Sequence, residues 1–194
     1  MNYLQEVVTI LRVISGTARG HHLKTPKGMS TRPTTDRVKE SLFNIISMFV
    51  ADSEVLDLFS GSGSLGIEAL SRGAASAVFV DSSRECYGII KDNLQHTKLS
   101  DKGKVYTEAV NEAIRKLFVH NKKFDLIFMD PPYSKNLVEE TLNCIANNDI
   151  IKSNSLIICE HRSSDPVPEA VGRLVITRKQ QYGDTTVSFY KCCN

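Results

Sequence analysis

The chain has 194 residues, of which 41% are hydrophobic and 24% charged, and its formal net charge is +2. These values are ordinary for a globular domain and argue against a disordered, collagen-like or coiled-coil protein. The longest apolar runs fall far short of the roughly 20 residues that a membrane-spanning helix needs, so we expect no membrane association.

The N-terminal part of the chain is basic. Residues 1–11 are a lead-in to which we assign no role, and they lack the features of a signal peptide. From Arg12 to Lys39 the chain carries seven Lys or Arg residues and one acid, Asp36, whereas the remainder is mildly acidic. This asymmetry favours a polyanionic partner, with nucleic acid as the leading candidate and a solvated charged surface as the alternative.

A hairpin and a helix are predicted in this basic segment. Residues 12–15 and 22–24 flank a glycine-containing turn, which predicts two short strands. After a loop with two prolines, the apolar spacing predicts a helix on which Lys39 lies outside the apolar stripe. We therefore interpret 12–50 as an N-terminal hairpin and helix, and 51–194 as the main domain.

Strands and helices alternate through the main domain. The predicted strands cover residues 55–59, 77–80, 105–107, 124–129 and 156–160. The predicted helices cover residues 65–71, 84–99, 112–118 and 137–146. Because most of these strands are continuous apolar runs, we expect a doubly wound, mostly parallel α/β sheet. Two further strands, 174–178 and 185–190, form an antiparallel C-terminal hairpin and bring the expected number to seven.

The stretch Val55–Gly66 predicts a strand, a tight glycine turn and the start of a helix. Gly61, Gly63 and Gly66 match the pattern GxGxxG, in which glycine allows positive φ angles and close approach of a ligand. Asp81 ends the next strand, where a carboxylate can accept hydrogen bonds from ribose hydroxyls. Two ligands fit these residues: a nicotinamide or flavin dinucleotide, and S-adenosylmethionine.

Asp57 favours S-adenosylmethionine over a dinucleotide. It is a charged residue within an apolar strand, shortly before the first glycine. A carboxylate at this position would repel an anionic pyrophosphate, but it suits the ammonium and sulfonium groups of S-adenosylmethionine. A tight turn that binds no ligand is the structural alternative.

The segment Asp130-Pro131-Pro132-Tyr133 follows an apolar strand and is the most informative part of the sequence. The prolines fix a rigid turn that leaves the Asp130 carboxylate and the Pro131 carbonyl as acceptors, while Tyr133 can stack on a base. Two acceptors can hold both N–H groups of an exocyclic amine and localise its lone pair for attack on a methyl group. We therefore predict methyl transfer to an unstacked nucleobase, with a plain proline turn as the alternative.

These residues together resemble the class I, S-adenosylmethionine-dependent methyltransferases with a Rossmann-like fold, and most closely the RsmD family. That family methylates the N2 amine of guanine in bacterial 16S ribosomal RNA. The resemblance covers the chain from Arg12 to Tyr190, and its matching stretches are 12–16, 32–44, 55–73, 130–133, 160–161 and 182–185. It implies S-adenosylhomocysteine as the product and partly assembled small ribosomal subunits as the substrate. The size and class of the protein indicate a monomer.

The resemblance also implies roles for individual residues. Those expected to hold the guanine amine are Asp130, Pro131, Pro132 and Tyr133. Those expected at the cofactor are Arg32, Pro33, Thr34, Asp57, Phe59, Ser60, Gly61, Gly63, Gly66, Asp81 and Glu108. The segment 32–34 would close over the pocket, Asp81 would bind the ribose and Glu108 would lie near the adenine. Those expected to contact RNA are Arg19, His21, Lys24, Lys27 and Arg37.

Three other functions remain open from the sequence. A DNA adenine-N6 methyltransferase shares the proline-turn chemistry, but the main domain has no insertion for reading a base sequence, which favours a folded RNA. A dinucleotide-dependent oxidoreductase leaves Asp57 and the proline turn unexplained, and a non-catalytic RNA-binding module has no need of them.

The cysteines and histidines carry no recognisable site. The five cysteines lack CxxC spacing and the five histidines lack metal-ligand spacing. We therefore expect reduced thiols, no metal site and a cytoplasmic location. His161, at a predicted strand end, is expected at the surface.

Overall fold

One sheet organises the part of the chain that the structure, a computed structural model, describes, namely residues 11–26, 36–132 and 136–193. Its strands are β1 (Glu54–Leu58), β2 (Ser76–Asp81), β3 (Gly103–Thr107), β4 (Phe124–Met129), β5 (Ile151–Arg162), β6 (Ala170–Val171), β7 (Leu174–Tyr182) and β8 (Thr185–Cys192). The helices are α1 (Asp36–Ile45), α2 (Ser64–Ser71), α3 (Arg84–His96), α4 (Val110–Val119) and α5 (Leu137–Asn147).

The strand order is β3-β2-β1-β4-β5-β8-β7-β6. Strands β1 to β5 pair in parallel, and β5, β8, β7 and β6 pair antiparallel. The chain moves outward from β1 to β3 and then returns to place β4 on the other side of β1. Ligands of doubly wound sheets bind at the carboxyl ends of the strands beside such a reversal. The glycine loop follows β1 and Asp130 follows β4, so both lie at this position.

Side chains along the central strands alternate between two hydrophobic layers, as the period of a strand requires. The layer shared with α1, α2 and α3 includes the strand residues Val55, Phe79, Phe128 and Ile158. The layer shared with α4 and α5 includes Leu56, Ile127, Met129 and Ile157. Helices therefore cover both faces of the parallel strands, which confirms the expected α/β class.

A buried charge pair fixes the N-terminal segment to α2. Glu68 is fully buried and accepts hydrogen bonds from the N–H groups of Ile14 and Ser15 at 2.7 and 3.0 Å. Lys39 is also fully buried, lies 3.7 Å from the Glu68 carboxylate and donates to the Arg12 carbonyl at 2.6 Å. The expectation that Lys39 lies outside the apolar stripe of α1 is wrong, because Lys39 lies on the same buried face as Leu42 and Phe43.

Two strand predictions need correction. The described residues form eight strands rather than seven, because the two-residue strand β6 pairs with the start of β7. The N-terminal hairpin is reduced to one antiparallel bridge between Arg12 and His22. The reason is that the N–H groups of Ile14 and Ser15 bond to Glu68 instead of to a partner strand.

The remaining elements agree with the sequence to within a few residues. α3 ends at His96 rather than at Leu99, because the chain reverses at Lys98, which adopts a φ of +59°. β5 extends further than expected at both ends, and the terminal hairpin of β7 and β8 is confirmed. Among the described residues, no helix combines the length and apolarity required to span a membrane.

Candidate active site

The turn after β1 has a backbone that few residues adopt. Phe59, Gly61 and Gly63 have φ angles of +59°, +54° and +77°, in the left-handed region that favours glycine. The Ser60 hydroxyl accepts a hydrogen bond from the N–H of Val80 at 2.9 Å and thereby ties the turn to the end of β2. The loop is thus fixed between the carboxyl ends of two neighbouring strands.

Gly66 closes this loop onto the first turn of α2. Its N–H donates to Oδ2 of Asp57 at 2.9 Å. A Cβ atom at Gly66 would lie 2.3 Å from the ring of Phe79 and 3.1 Å from the Asp57 carboxylate. A larger residue would have to displace one of these groups, so packing within the chain itself requires the third glycine of the pattern.

The buried position of Asp57 disfavours its ionised form. Burial raises the pKa of Asp57 to about 7, the Gly66 hydrogen bond opposes this shift, and the negative charge of Asp81 adds to it. A cation bound next to Asp57 would favour the carboxylate and lower its pKa again. The site therefore suits a positively charged ligand group.

Asp81 stands at the end of β2 and is oriented by backbone donors. Its Oδ2 accepts from the N–H of Gly61 at 2.9 Å, and its Oδ1 accepts from the N–H of Ser83 at 2.9 Å. Each carboxylate oxygen retains a second lone pair, so Asp81 can still accept hydrogen bonds from a pair of hydroxyl groups. Glu108 lies beside it: its N–H donates to the Asp81 carbonyl, and its carboxylate is paired with Lys116 at 2.5 Å.

Asp130 directly follows β4 and lies beside Glu160, which is within β5 two residues before its end. Met129 pairs with Cys159, and each acidic residue is the next residue along its strand. Glu160 is buried, whereas Asp130 as a whole residue is exposed although its carboxyl group is closely surrounded by protein. Desolvation by the surrounding protein raises the pKa of Asp130 well above its ordinary value, and the charges of Glu160 and Asp57 raise it further. Two carboxylates and the glycine loop are therefore close enough to interact electrostatically.

The proline turn is described only in part. Pro131 is buried and Pro132 is exposed. Tyr133, Lys27 and the segment 32–34 lie outside the described residues, so their predicted roles at the base, the RNA and the cofactor pocket stay predictions.

The remaining residues predicted to contact RNA do not form one uniform basic surface. Arg19 and Arg37 are exposed. His21 is partly buried, with its ring 5.2 Å from the ring of His96, and Lys24 is paired with Asp92 at 2.7 Å. Of this set, Arg19 and Arg37 are therefore the best placed to meet an anion.

A family model described as "Conserved hypothetical protein 95" matches residues 11–191. "Putative rRNA methyltransferase YlbH" of Bacillus subtilis is 42% identical to this chain over 181 residues, which cover 93% of this chain and 98% of that protein. "Ribosomal RNA small subunit methyltransferase D" of Escherichia coli is 34% identical over 181 residues, covering 93% and 89%. The chain belongs to the RsmD family of methyltransferases.

A solved structure of this family has the same fold. It is described as "Putative methyltransferase yhhF from Escherichia coli", is 32% identical in sequence and superimposes with a TM-score of 0.81 over 93% of this chain and 97% of that chain. The resemblance to the RsmD family that the sequence carries is therefore confirmed, together with the class I methyltransferase fold and the class of enzyme.

Some site features of this RsmD-family protein were not predicted from the sequence. Glu160 was part of a matching stretch, but no role was assigned to it, because its position beside Asp130 depends on the pairing of two strands. His161 is buried rather than exposed. Its Nδ1–H donates to the Arg162 carbonyl at 2.8 Å, and its Nε2 is 2.9 Å from the Ser188 hydroxyl, so it joins β5 to β8.

Proposed function

We propose that this protein transfers a methyl group from S-adenosylmethionine to the exocyclic N2 amine of a guanine in 16S ribosomal RNA. The observation that carries the proposal is the position of Asp130. It follows β4, begins the proline turn and interacts electrostatically with Asp57 of the glycine loop. Acceptors for an amine and acceptors for a nucleoside cofactor are thus found at one sheet edge, which supports transfer between the two ligands.

The residues around the glycine loop fit S-adenosylmethionine. The buried Asp57 carboxylate suits the ammonium group, and Asp81, held by two backbone N–H groups, suits the ribose hydroxyls. Gly66 lets the backbone stay close to the Asp57 carboxylate, where a Cβ atom would intrude. S-adenosylmethionine bound here supplies a methyl group activated by a sulfonium centre.

Asp130 and the Pro131 carbonyl prepare the amine for attack. Each accepts a hydrogen bond from one N–H group of the amine. Together they favour a geometry in which the nitrogen lone pair is no longer delocalised into the ring. The nitrogen forms a bond to the methyl carbon as the sulfur–carbon bond breaks, with its electron pair passing to sulfur. Asp130, whose pKa is raised, accepts the released proton or passes it to water.

A structured RNA is the substrate that fits the small size of the domain. The described main domain contains the strands and helices of the sheet and short connections between them. Base flipping toward Asp130 would then rely on an RNA that presents the guanine in its own fold. Residues 12–50 would contact this RNA and cover the cofactor, and the protein would act as a cytoplasmic monomer on assembling small ribosomal subunits.

Methyl transfer to isolated small-subunit particles tests the proposal. Particles from cells that lack this gene are incubated with the protein and labelled S-adenosylmethionine, and the nucleosides are then separated. We expect labelled N2-methylguanosine in 16S RNA from these particles and no labelled product in particles from cells that retain the gene, because their target guanine is already methylated. Label in N6-methyladenosine, or label that appears only with DNA, would contradict the proposed substrate.

A further inference from the structure

A cavity opens between the N-terminal segment, α1 and the end of α2, away from the proposed methyl-transfer site. Its volume is about 360 Å³, and its charged lining residues are Arg12, Arg19, Glu40 and Arg72. α2 begins at the glycine loop and Arg72 directly follows its last residue, so the cavity lies about one helix length, roughly 12 Å, from that loop. Three guanidinium groups against one carboxylate give the lining an excess of positive charge.

Arg72 is held in place before any ligand binds. Its Nε donates to Oε1 of the buried Glu68 at 2.7 Å, and its guanidinium group lies 4.8 Å from the centroid of the Phe43 ring. The Arg72 side chain is only 17% exposed. With Nε occupied, the two Nη nitrogens still carry four N–H donors. Because an ordered guanidinium loses little conformational entropy on binding, Arg72 offers preorganised donors to the cavity.

The turn that carries Arg19 is fixed to the end of α2. The Thr17 N–H donates to the Ser71 carbonyl at 2.8 Å, and the Ala18 N–H donates to the Ser71 hydroxyl at 2.9 Å. Since Ser71 precedes Arg72, these bonds bring Arg19 to the same cavity as Arg72. Arg19 is exposed and forms no ion pair with any residue in the described part of the chain. Its charge is therefore available to a ligand.

The other two charged lining residues have opposite effects on an anion. Arg12 is paired with Asp36 at 2.7 Å, but both side chains are more than a third exposed, so this contact is weak and Arg12 can also bind a ligand. Glu40 is exposed, forms no ion pair with a described residue and repels an anion. The cavity therefore suits one compact anionic group, and Glu40 limits how tightly that group binds.

We propose that Arg12, Arg19 and Arg72 form a binding site for a backbone phosphate of the RNA substrate. This inference rests on the proposed function and adds a contact that anchors the RNA at a distance from the reacting base. Guanidinium groups match phosphate oxygens with pairs of parallel N–H bonds. Phosphate contacts fix the register and orientation of a nucleic acid without reading its sequence. Such an anchor helps to present one guanine to Asp130.

The distance between this site and Asp130 predicts a distinct kinetic effect. An anchoring contact is equally strong in the bound substrate and in the transition state, so its loss should raise KM and leave kcat unchanged. Loss of a group that contacts the reacting amine would lower kcat instead. Loss of a purely structural contact would lower the free energy of unfolding and weaken binding of S-adenosylhomocysteine.

Arg19→Gln is the main variant, because this exposed side chain is not bonded to the buried Glu68. Methyl transfer is measured at increasing concentrations of small-subunit particles from cells that lack the gene. We expect KM to rise by about 5- to 20-fold, with kcat within about twofold of the wild-type value. Arg115→Gln is the matched control: it lies on α4, which packs on the opposite face of the sheet, and should leave both constants unchanged.

Arg72→Gln tests the contribution of the main domain. We expect a larger rise in KM than in Arg19→Gln, because Arg72 is the preorganised donor. This change also removes a partner of the buried Glu68, so urea denaturation and calorimetry with S-adenosylhomocysteine are measured beside it. A rise in KM in a folded variant that binds S-adenosylhomocysteine normally supports the site, and an unchanged KM in such a variant would exclude Arg72 from it.

Glu40→Gln tests the same site in the opposite direction. Removal of the only carboxylate among the described lining residues should strengthen binding of unmethylated 16S RNA by about two- to fivefold at low salt. The difference should fade as the salt concentration rises, because salt screens charges that are exposed. Filter binding measures both. A gain in affinity cannot result from damage to the fold, so this variant keeps the test decisive even if Arg72→Gln is unstable.

The possible outcomes separate the phosphate site from the proposed function. If 16S RNA is methylated but KM and RNA affinity are unchanged in both Arg19→Gln and Glu40→Gln, the phosphate site alone is overturned. If the wild type forms no N2-methylguanosine but RNA affinity falls in Arg19→Gln and rises in Glu40→Gln, the proposed function alone is overturned. A wild-type protein that binds no 16S RNA would overturn both.

Discussion

The two halves of the sheet edge differ in how their carboxylates are held. Beside β1 and β2, Asp57 and Asp81 accept hydrogen bonds from backbone N–H groups of the glycine loop and its surroundings. Beside β4 and β5, the Asp130 side chain accepts no hydrogen bond from another residue in the described part of the chain, and a second acid, Glu160, stands next to it.

This difference indicates that the two halves have different functions. In the half beside β1 and β2, the glycine-loop half, backbone donors of the chain itself hold the carboxylates in place, so this half presents a fixed surface to a cofactor. The half beside β4 and β5, the proline-turn half, presents oxygen acceptors to which a substrate amine can donate hydrogen bonds. Changes in the first half should therefore alter cofactor affinity and stability, whereas changes in the second should alter turnover.

The largest expected effect comes from Asp130→Ala. Loss of the acceptor that we propose to hold the amine should lower kcat by about 10²- to 10⁴-fold, while the dissociation constant for S-adenosylmethionine stays close to that of the wild type. Single-turnover methyl transfer and calorimetry measure the two quantities. Asp125→Ala is the control on the same strand, since Asp125 bonds to Lys152 at the opposite end of β4. Near-normal turnover in Asp130→Ala would contradict the proposed difference in function between the two halves.

The next largest effect is expected from Gly66→Ala in the glycine-loop half. The added methyl group collides with the Phe79 ring and crowds Asp57, and such overpacking costs about 1–3 kcal/mol of stability. Chemical denaturation and S-adenosylhomocysteine titration should both show the loss. Gly88→Ala in α3 is the matched control, because no atom lies within 4 Å of the added carbon. Equal stability of the two variants would contradict the packing argument.

The raised pKa of Asp57 predicts that the stability of the protein depends on pH. Its pKa in the folded protein is raised to about 7, so between about pH 4 and pH 7 the folded state binds more protons than the unfolded state. The Asp57 contribution to the free energy of unfolding is fully present below about pH 4 and is lost as the pH rises to about 7.

Asp57→Asn isolates this contribution, because it keeps an acceptor for the Gly66 N–H. The wild type should lose stability relative to the variant as the pH rises, with a slope of up to about 1.4 kcal/mol per pH unit. Urea denaturation at several pH values measures the difference. Parallel stability curves for the two proteins would show that burial does not perturb Asp57.

The smallest effect is expected from the basic N-terminal segment, outside both halves. Neutralising Arg19, Lys24 and Lys27 should weaken RNA binding. It should also make the plot of log affinity against log salt concentration less steep, by about one slope unit for each of these side chains that contacts a phosphate in the wild type. Filter binding at several salt concentrations measures this slope. Arg115→Ala, an exposed position on α4, is the control. Unchanged affinity of the triple variant at every salt concentration would exclude this segment from the interface.

Local patterns were sufficient to predict the glycine-loop half. The apolar run of β1, the three glycines and Asp81 all lie within a short stretch of sequence, so strand, turn and helix could be recognised from spacing alone. The position of Asp130 followed in the same way, because an apolar strand ends directly before it.

Features that depend on contacts between distant segments could not be predicted. The position of Glu160 beside Asp130 follows from the register between β4 and β5, in which Met129 pairs with Cys159 about thirty residues further along the chain. The burial of Lys39 and Glu68 arises because the N-terminal segment covers one face of α1 and α2. Charged residues on helices are ordinarily exposed, so their sequence pattern gave no sign of this pair.

A crystal structure of the protein with S-adenosylhomocysteine tests the central claim most directly. The account predicts that the ribose hydroxyls bond to Asp81, that the amino group lies beside Asp57 and that the sulfur faces Asp130 across the end of β4. A nucleoside bound away from the glycine loop, or a sulfur atom turned away from Asp130, would contradict the proposed transfer between the two halves of this edge.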